Sequence, residues 1–103
     1  MDNRKLRILA IGRNAEIMTV MQRLLNAPDN WTGLAVTTNE AAIAAFSQEA
    51  FDIVLLCAGV STEEEATLSA QFRQQAPDVI VKRHYGGGSG LLKNEIQYAL
   101  EHR

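Results

Sequence analysis

The run Phe51-Asp52-Ile53-Val54-Leu55-Leu56 constrains the fold more than any other segment of the chain. Its last four residues are apolar without alternation, so a strand built from them has no face left for water and must lie in a sheet covered on both sides. An Ala-rich segment of helical spacing precedes it and a Gly-containing loop follows. That context belongs to a central strand of a parallel α/β sheet, and such sheets place their working residues at the carboxyl ends of the strands. The residue at that end is Cys57.

The rest of the chain repeats the same unit. Leu6 to Ile11 is an apolar run flanked by charge, Gly12-Arg13-Asn14 is its exit loop, and Asn14 caps a helix with Ile17, Met18, Met21, Leu24 and Leu25 on one face. Trp31 to Thr37 reads as a second strand, and Asn39 as the cap of a helix carrying Ala42, Ile43 and Phe46. Phe51 to Cys57 is the third strand. Ser61 and Thr62 before Glu63, Glu64 and Glu65 make a capping-box pattern, and Leu68 and Phe72 carry that helix to Pro77. Val79 to Tyr85 is the fourth strand, and Gly86-Gly87-Gly88-Ser89-Gly90 turns into a last helix with Leu92, Ile96, Ala99 and Leu100 inward.

Strands alternating with helices through short loops imply parallel pairing by right-handed crossovers. The expectation is one α/β domain over residues 1–103, a three-layer sandwich of flavodoxin-like type. Its four-stranded parallel sheet has the order 2-1-3-4, because the two most apolar strands, the first and third, belong in the middle. At 103 residues the core needs no disulfide or structural metal, and the single cysteine cannot bridge within the chain. A formal charge of -2 with interspersed signs gives no basic stripe for nucleic acid. No apolar run approaches the roughly 20 residues of a membrane span, and no basic-then-apolar leader is present. The chain is therefore expected to be cytoplasmic, with no nucleic-acid or membrane partner, and neither metal-ligand spacing nor a cofactor motif stands out.

Arg7-Ile8-Leu9-Ala10-Ile11-Gly12-Arg13-Asn14, the Phe51 to Leu56 strand with its preceding helix, and Ala76-Pro77-Asp78-Val79-Ile80-Val81 resemble the response-regulator receiver (CheY-like) domain, over the chain up to Tyr85. The resemblance implies a setting in signal transduction, and it also locates the departures. Receivers carry two acidic residues after the first strand that hold Mg²⁺, an aspartate phosphoacceptor after the third, a hydroxyl after the fourth and a lysine after the fifth. Here the acidic pair matches Gly12 and Arg13, the acceptor Cys57 and the hydroxyl Arg83. Mg²⁺ takes oxygen ligands, which these residues do not offer, and Arg13 repels the ion. Aspartyl phosphorylation of the receiver type is not expected. One βα unit is also missing: Gly86 to Gly90 stands where a receiver has another helix and a fifth strand. In an alternative register Val81-Lys82 lies on the lysine-bearing fifth strand and the preceding unit is deleted.

That loss turns an interior strand into an edge, which natural proteins normally protect. Val79, Ile80, Val81 and Tyr85 form the candidate dimer edge, and the expected cover is a second copy of the chain, by edge pairing or by exchange of the last helix. A monomer shielded by Lys82, Arg83 and the last helix is the plainer alternative.

Two candidate chemical sites remain. Gly86, Gly87, Gly88 and Ser89 precede a helix, and Arg13, Lys82, Arg83 and His84 belong to the same carboxyl edge, so together they are candidates for binding a small anion. The Gly run lacks the Lys-Ser/Thr ending of a P-loop, and a flexible turn is the simpler reading. Cys57-Ala58-Gly59-Val60-Ser61-Thr62 is similar to the phosphocysteine loop of sugar phosphotransferase-system B subunits. It is one residue shorter than that loop and follows the third strand instead of the first, and the three glutamates after it oppose a thiolate. A buried, inert thiol is the competing assignment. His84 has no Ser, Asp or second His at catalytic spacing and reads as a hydrogen-bonding or pocket residue.

The expected function is a degenerate, shortened receiver-like module, not an enzyme, that homodimerises through its fourth strand and last helix and serves an unidentified protein partner. The alternative is a small-anion or phosphoryl-handling protein using the Cys57 loop and the Gly-rich turn. Cys57→Ser and a charge at Ile80 separate the two: the module tolerates the first and loses its dimer to the second, and a phosphoryl carrier does the reverse.

Overall fold

Side chains supplied by the connecting loops set where the helices begin, and those loops in turn set the carboxyl edge of the sheet. The structure is a computed structural model and describes residues 5–84 and 89–101. Strands β1 (Leu6–Ile11), β2 (Trp31–Val36), β3 (Ile53–Leu56) and β4 (Ile80–Arg83) alternate with helices α1 (Ala15–Asn26), α2 (Asn39–Gln48), α3 (Thr62–Gln75) and α4 (Ser89–Glu101). Asn14 caps α1 by accepting from the Ile17 N–H, and Ser61 and Glu64 close a reciprocal capping box on α3. The cap of α2 is Thr38, not Asn39; Thr38 accepts from the Ala41 N–H, and Asn39 becomes the first helical residue with its amide free for other partners.

The sheet is wholly parallel in the order β2-β1-β3-β4, as the apolar content of β1 and β3 requires. Register pairs Ile8 with Gly33 and with Ile53, and Ile53 with Ile80. Alternation divides the interior in two. Ile8, Ala10, Ile53, Leu55 and Cys57 pack with Met18, Met21 and Leu25 of α1 and with Leu92 and Ile96 of α4. Leu9, Ile11, Val54 and Leu56 face the other way, against Phe46 of α2 and Leu68 and Phe72 of α3, where the Phe46 and Phe72 rings lie 4.5 Å apart. No described helix is long and apolar enough to cross a membrane.

Several expectations change in detail. Ile17 is 49% exposed, because the buried stripe of α1 is Met18, Met21 and Leu25. Val79 does not belong to the exposed edge: the turn after Pro77 sends its N–H to the Ala76 carbonyl and its side chain into the α2/α3 core. β4 begins at Ile80 and is an edge strand, paired with β3 alone among the described residues. Ser89 and Gly90 belong to α4 and not to a turn. Tyr85, Gly86, Gly87 and Gly88 lie outside the described residues.

Candidate functional site at the carboxyl edge of the sheet

Two glycines shape this edge. Gly12 follows β1 and donates its N–H to the Val36 carbonyl at 3.1 Å. A Cβ at this position would sit 2.6 Å from Met18 Sδ and 2.9 Å from Cys57 Cβ, so the core has closed over this position. Gly59 has φ of 94°, a conformation open to glycine, and a Cβ there would lie 2.6 Å from Arg13 Cγ. The space that Gly59 leaves is filled by the Arg13 side chain.

Arg13 reaches across the edge. Its guanidinium donates to the Thr37 carbonyl at 3.0 Å, to Asn39 Oδ1 at 2.6 Å and to Glu64 Oε2 at 2.7 Å. Asn39 Nδ2 donates to the same carboxylate oxygen at 2.9 Å, and Glu64 Oε1 accepts from the Ser61 N–H at 3.0 Å. One network thus joins the loops after β1, β2 and β3. Those hydrogen bonds, first the Ser61 N–H and then Arg13 and Asn39, hold the Glu64 carboxyl at about 2 against an ordinary 4.5. Because the folded value is the lower one, this contribution to stability is complete above pH ~4.5 and disappears as pH falls towards ~2. Urea midpoints measured across that window should fall less steeply for Glu64→Gln than for the native chain; equal slopes would show that Glu64 is not part of the acid response.

The other candidate side chains of this edge have contacts as well. Arg83 Nη2 donates to Glu65 Oε1 at 2.7 Å and to the Val60 carbonyl at 3.0 Å. Lys82 Nζ lies 5.9 Å from the centroid of the Tyr98 ring. His84 is buried, and its Nδ1 is 2.6 Å from Glu95 Oε1, a bond that ties the end of β4 to α4. His84→Ala should cost about 1.5–3 kcal/mol, the worth of a hydrogen bond to a charged group, and thermal unfolding should lose roughly 10 °C. An unchanged midpoint would mean that apolar packing alone positions α4.

Cys57 is free and 3% exposed. Burial, and secondarily the Glu95 charge, push its thiol up to about 11 against the opposing influence of Arg83. At neutral pH it is a thiol, a poor nucleophile.

The structure therefore brings Gly12, Arg13, Cys57, Arg83 and His84 to one edge, as the topology required. Arg13 and Arg83 are turned towards the first-turn carboxylates of α3. Sequence reasoning missed these acceptors and Glu95. Glu64 was visible as a capping-box residue, but nothing in a linear pattern shows that its second oxygen serves Arg13, 51 residues away. Among the described residues no group of His, Cys, Asp and Glu is disposed to hold a metal ion.

No protein-family model matches the sequence, and no curated protein matches it. Solved structures do. The signal receiver domain of an HD domain-containing protein from Pseudomonas fluorescens Pf-5 superposes with a TM-score of 0.79 at 18% identity, covering 99% of this chain and 91% of that one. A de novo designed Rossmann-fold protein matches with a TM-score of 0.52 at 16% identity, covering 90% of this chain and 95% of that one. The chain has the flavodoxin-like fold of a CheY-like signal receiver domain.

Proposed function

We propose that this chain is a receiver-fold regulatory module that is not an enzyme, is not phosphorylated on aspartate, and works through protein contacts, first of all as a cytoplasmic homodimer joined along β4. The observation that carries the reading is the unequal treatment of the two sheet edges. On the outer side of β2, side chains of α1 replace a neighbouring strand. Asn26 Oδ1 accepts from the Gly33 N–H at 3.1 Å, Gln22 Oε1 accepts from the Ala35 N–H at 2.7 Å, and both side-chain amides donate to the Gly33 carbonyl. This edge is sealed.

β4 receives no such cover. Ile80 donates inward to the Asp52 carbonyl at 3.1 Å and His84 inward to the Leu56 carbonyl at 2.9 Å, so the intervening odd-numbered residues, Val81 and Arg83, point their backbone groups outward. Among the described residues no second strand pairs with them. An open edge of this kind pairs readily with another strand. α4 flanks the same edge through the Lys82–Tyr98 contact, which makes the last helix part of the joining face.

Signal transduction is the setting suggested by the receiver named above, and the engaged Arg13–Glu64 pair supports a module whose state is not set by metal and phosphate. The anion-binding alternative draws less support, because Arg13 and Arg83 already hold carboxylates and Cys57 is protonated. Native mass spectrometry over a concentration series tests the reading. A ligand-free dimer that persists on dilution and is unaffected by Cys57→Ser supports it; a monomer carrying a phosphate-sized adduct overturns it.

A further inference from the structure

The outer edge of β2 is closed donor by donor. β2 pairs with β1 alone among the described residues, and its odd-numbered residues turn their backbone groups away from the sheet. Each outward N–H of the strand has an acceptor that is not another strand. Trp31 donates to the Pro28 carbonyl at 3.1 Å, Gly33 to Asn26 Oδ1 at 3.1 Å and Ala35 to Gln22 Oε1 at 2.7 Å. The Gly33 carbonyl in turn takes the amides of Gln22 at 3.0 Å and Asn26 at 2.9 Å.

The local cause is a close approach of α1. A Cβ on Gly33 would collide with Leu25 Cβ, so glycine is what lets the helix lie this near the strand. Gln22 and Asn26 are four residues apart and therefore share a helix face. At this separation even the short side chain of Asn26 reaches the edge. Each amide carries both a donor and an acceptor, as a strand does, whereas a carboxylate only accepts and an ammonium only donates. Asn26 Nδ2 also donates to the Gln22 carbonyl at 2.8 Å, which ties the two halves of the contact together.

We infer that Gln22 and Asn26 form an autoinhibitory contact on the β2 edge, holding the backbone groups through which a second copy of the chain would pair and so limiting association to a closed pair. The closed pair rests on the β4 reading above; the contact at β2 does not. Two copies joined along β4 make one continuous sheet with β2 at both ends. Without the contact each end offers a strand edge to β2 of the next pair, and the assembly extends without closing.

The test is sedimentation velocity of the full chain over a concentration series, with the native protein beside Gln22→Ala/Asn26→Ala. The double variant should give species larger than the native one, growing with concentration and reaching no plateau. Adding Ala35→Pro, which removes an outward donor and takes nothing from the ladder to β1, should return it to the native size. A double variant of native size overturns the inference, and so do larger species that persist after Ala35→Pro is added. A native monomer removes the β4 reading alone; the double variant should then stop at a dimer, and if it too is a monomer the contact at β2 is overturned as well. Amide exchange of the single variant Gln22→Ala, which keeps the Asn26 half of the contact, reads the same inference without assembly. Exchange at Ala35 should quicken about tenfold, the worth of one hydrogen bond, and unchanged exchange there overturns the contact.

Discussion

Gly12→Asp, which places a carboxylate where the receiver resemblance would put the first of an acidic pair, is expected to destabilise the protein by about 3 kcal/mol or more and to lower its unfolding midpoint by over roughly 10 °C. The reason is local and steric before it is electrostatic. A Cβ on residue 12 meets Met18 Sδ at 2.6 Å and Cys57 Cβ at 2.9 Å. The thioether is the flexible end of a side chain and can turn away. Cys57 Cβ cannot, because the Cys57 N–H is bonded to the Ile11 carbonyl at 2.7 Å and fixes the exit of β3 against that of β1. Overpacking of this sort costs about 1–3 kcal/mol, and a carboxylate placed among Met18 and Cys57 adds its desolvation. Gly12→Ala separates the two contributions, since it keeps the steric clash and removes the charge; it should fall by about 1–2 kcal/mol. Urea unfolding of both variants checks this. A Gly12→Asp protein as stable as the native one would mean that the edge can reopen to the receiver arrangement, and the phosphorylation-independent reading would fall with it.

Val81→Pro is expected to dissociate the proposed β4 dimer while leaving the monomer folded. The outward groups of β4 favour an antiparallel union of two copies in which Val81 faces its own counterpart across the two-fold axis. Each copy then donates one N–H and accepts one at Val81. Proline removes both donors, and at about 1 kcal/mol apiece the dissociation constant rises at least 30-fold, more if the ring keeps the strands apart. The ladder to β3 loses nothing, because the bonds inward belong to Ile80, Lys82 and His84. Edge strands accept proline where the N–H faces away from the sheet. Sedimentation velocity reads the association, and circular dichroism the fold. A folded Val81→Pro variant that remains dimeric places the interface elsewhere, on the exchanged last helix or on another face. As a positive arm, Val81→Cys should crosslink to its symmetry mate under mild oxidation, since directly opposed residues of this pair lie about 5.5 Å apart, within disulfide reach.

The architecture was legible because it rests on periodicity. The unbroken Ile53 to Leu56 run demanded a central strand, and the three capped helices between strands left one topology open. Cap identity at α2 was ambiguous, since Thr38 and Asn39 are both good caps and only backbone geometry selects Thr38. The outward face of Ile17 was misread because apolar spacing shows which residues share a helix side and not how far the cover extends. The candidate site was half legible. That Gly12, Arg13, Cys57, Arg83 and His84 meet at one edge follows from strand order.

What those residues do there depends on partners distant in the chain. Glu64, Glu65 and Glu95 meet Arg13, Arg83 and His84 only when the fold brings α3 and α4 to the strand ends. The sealing of β2 by Gln22 and Asn26 and the open edge of β4 are likewise invisible in a linear pattern, because a side chain that substitutes for a strand carries no signature of its own. Local chemistry, in short range order along the chain, was enough to specify the strands, the helices and the absence of carboxylates at Gly12, Arg13 and Cys57. The tertiary structure decided which charges are paired and which edge is free, since each of these is a property of distances between segments that the chain alone does not encode in adjacent residues.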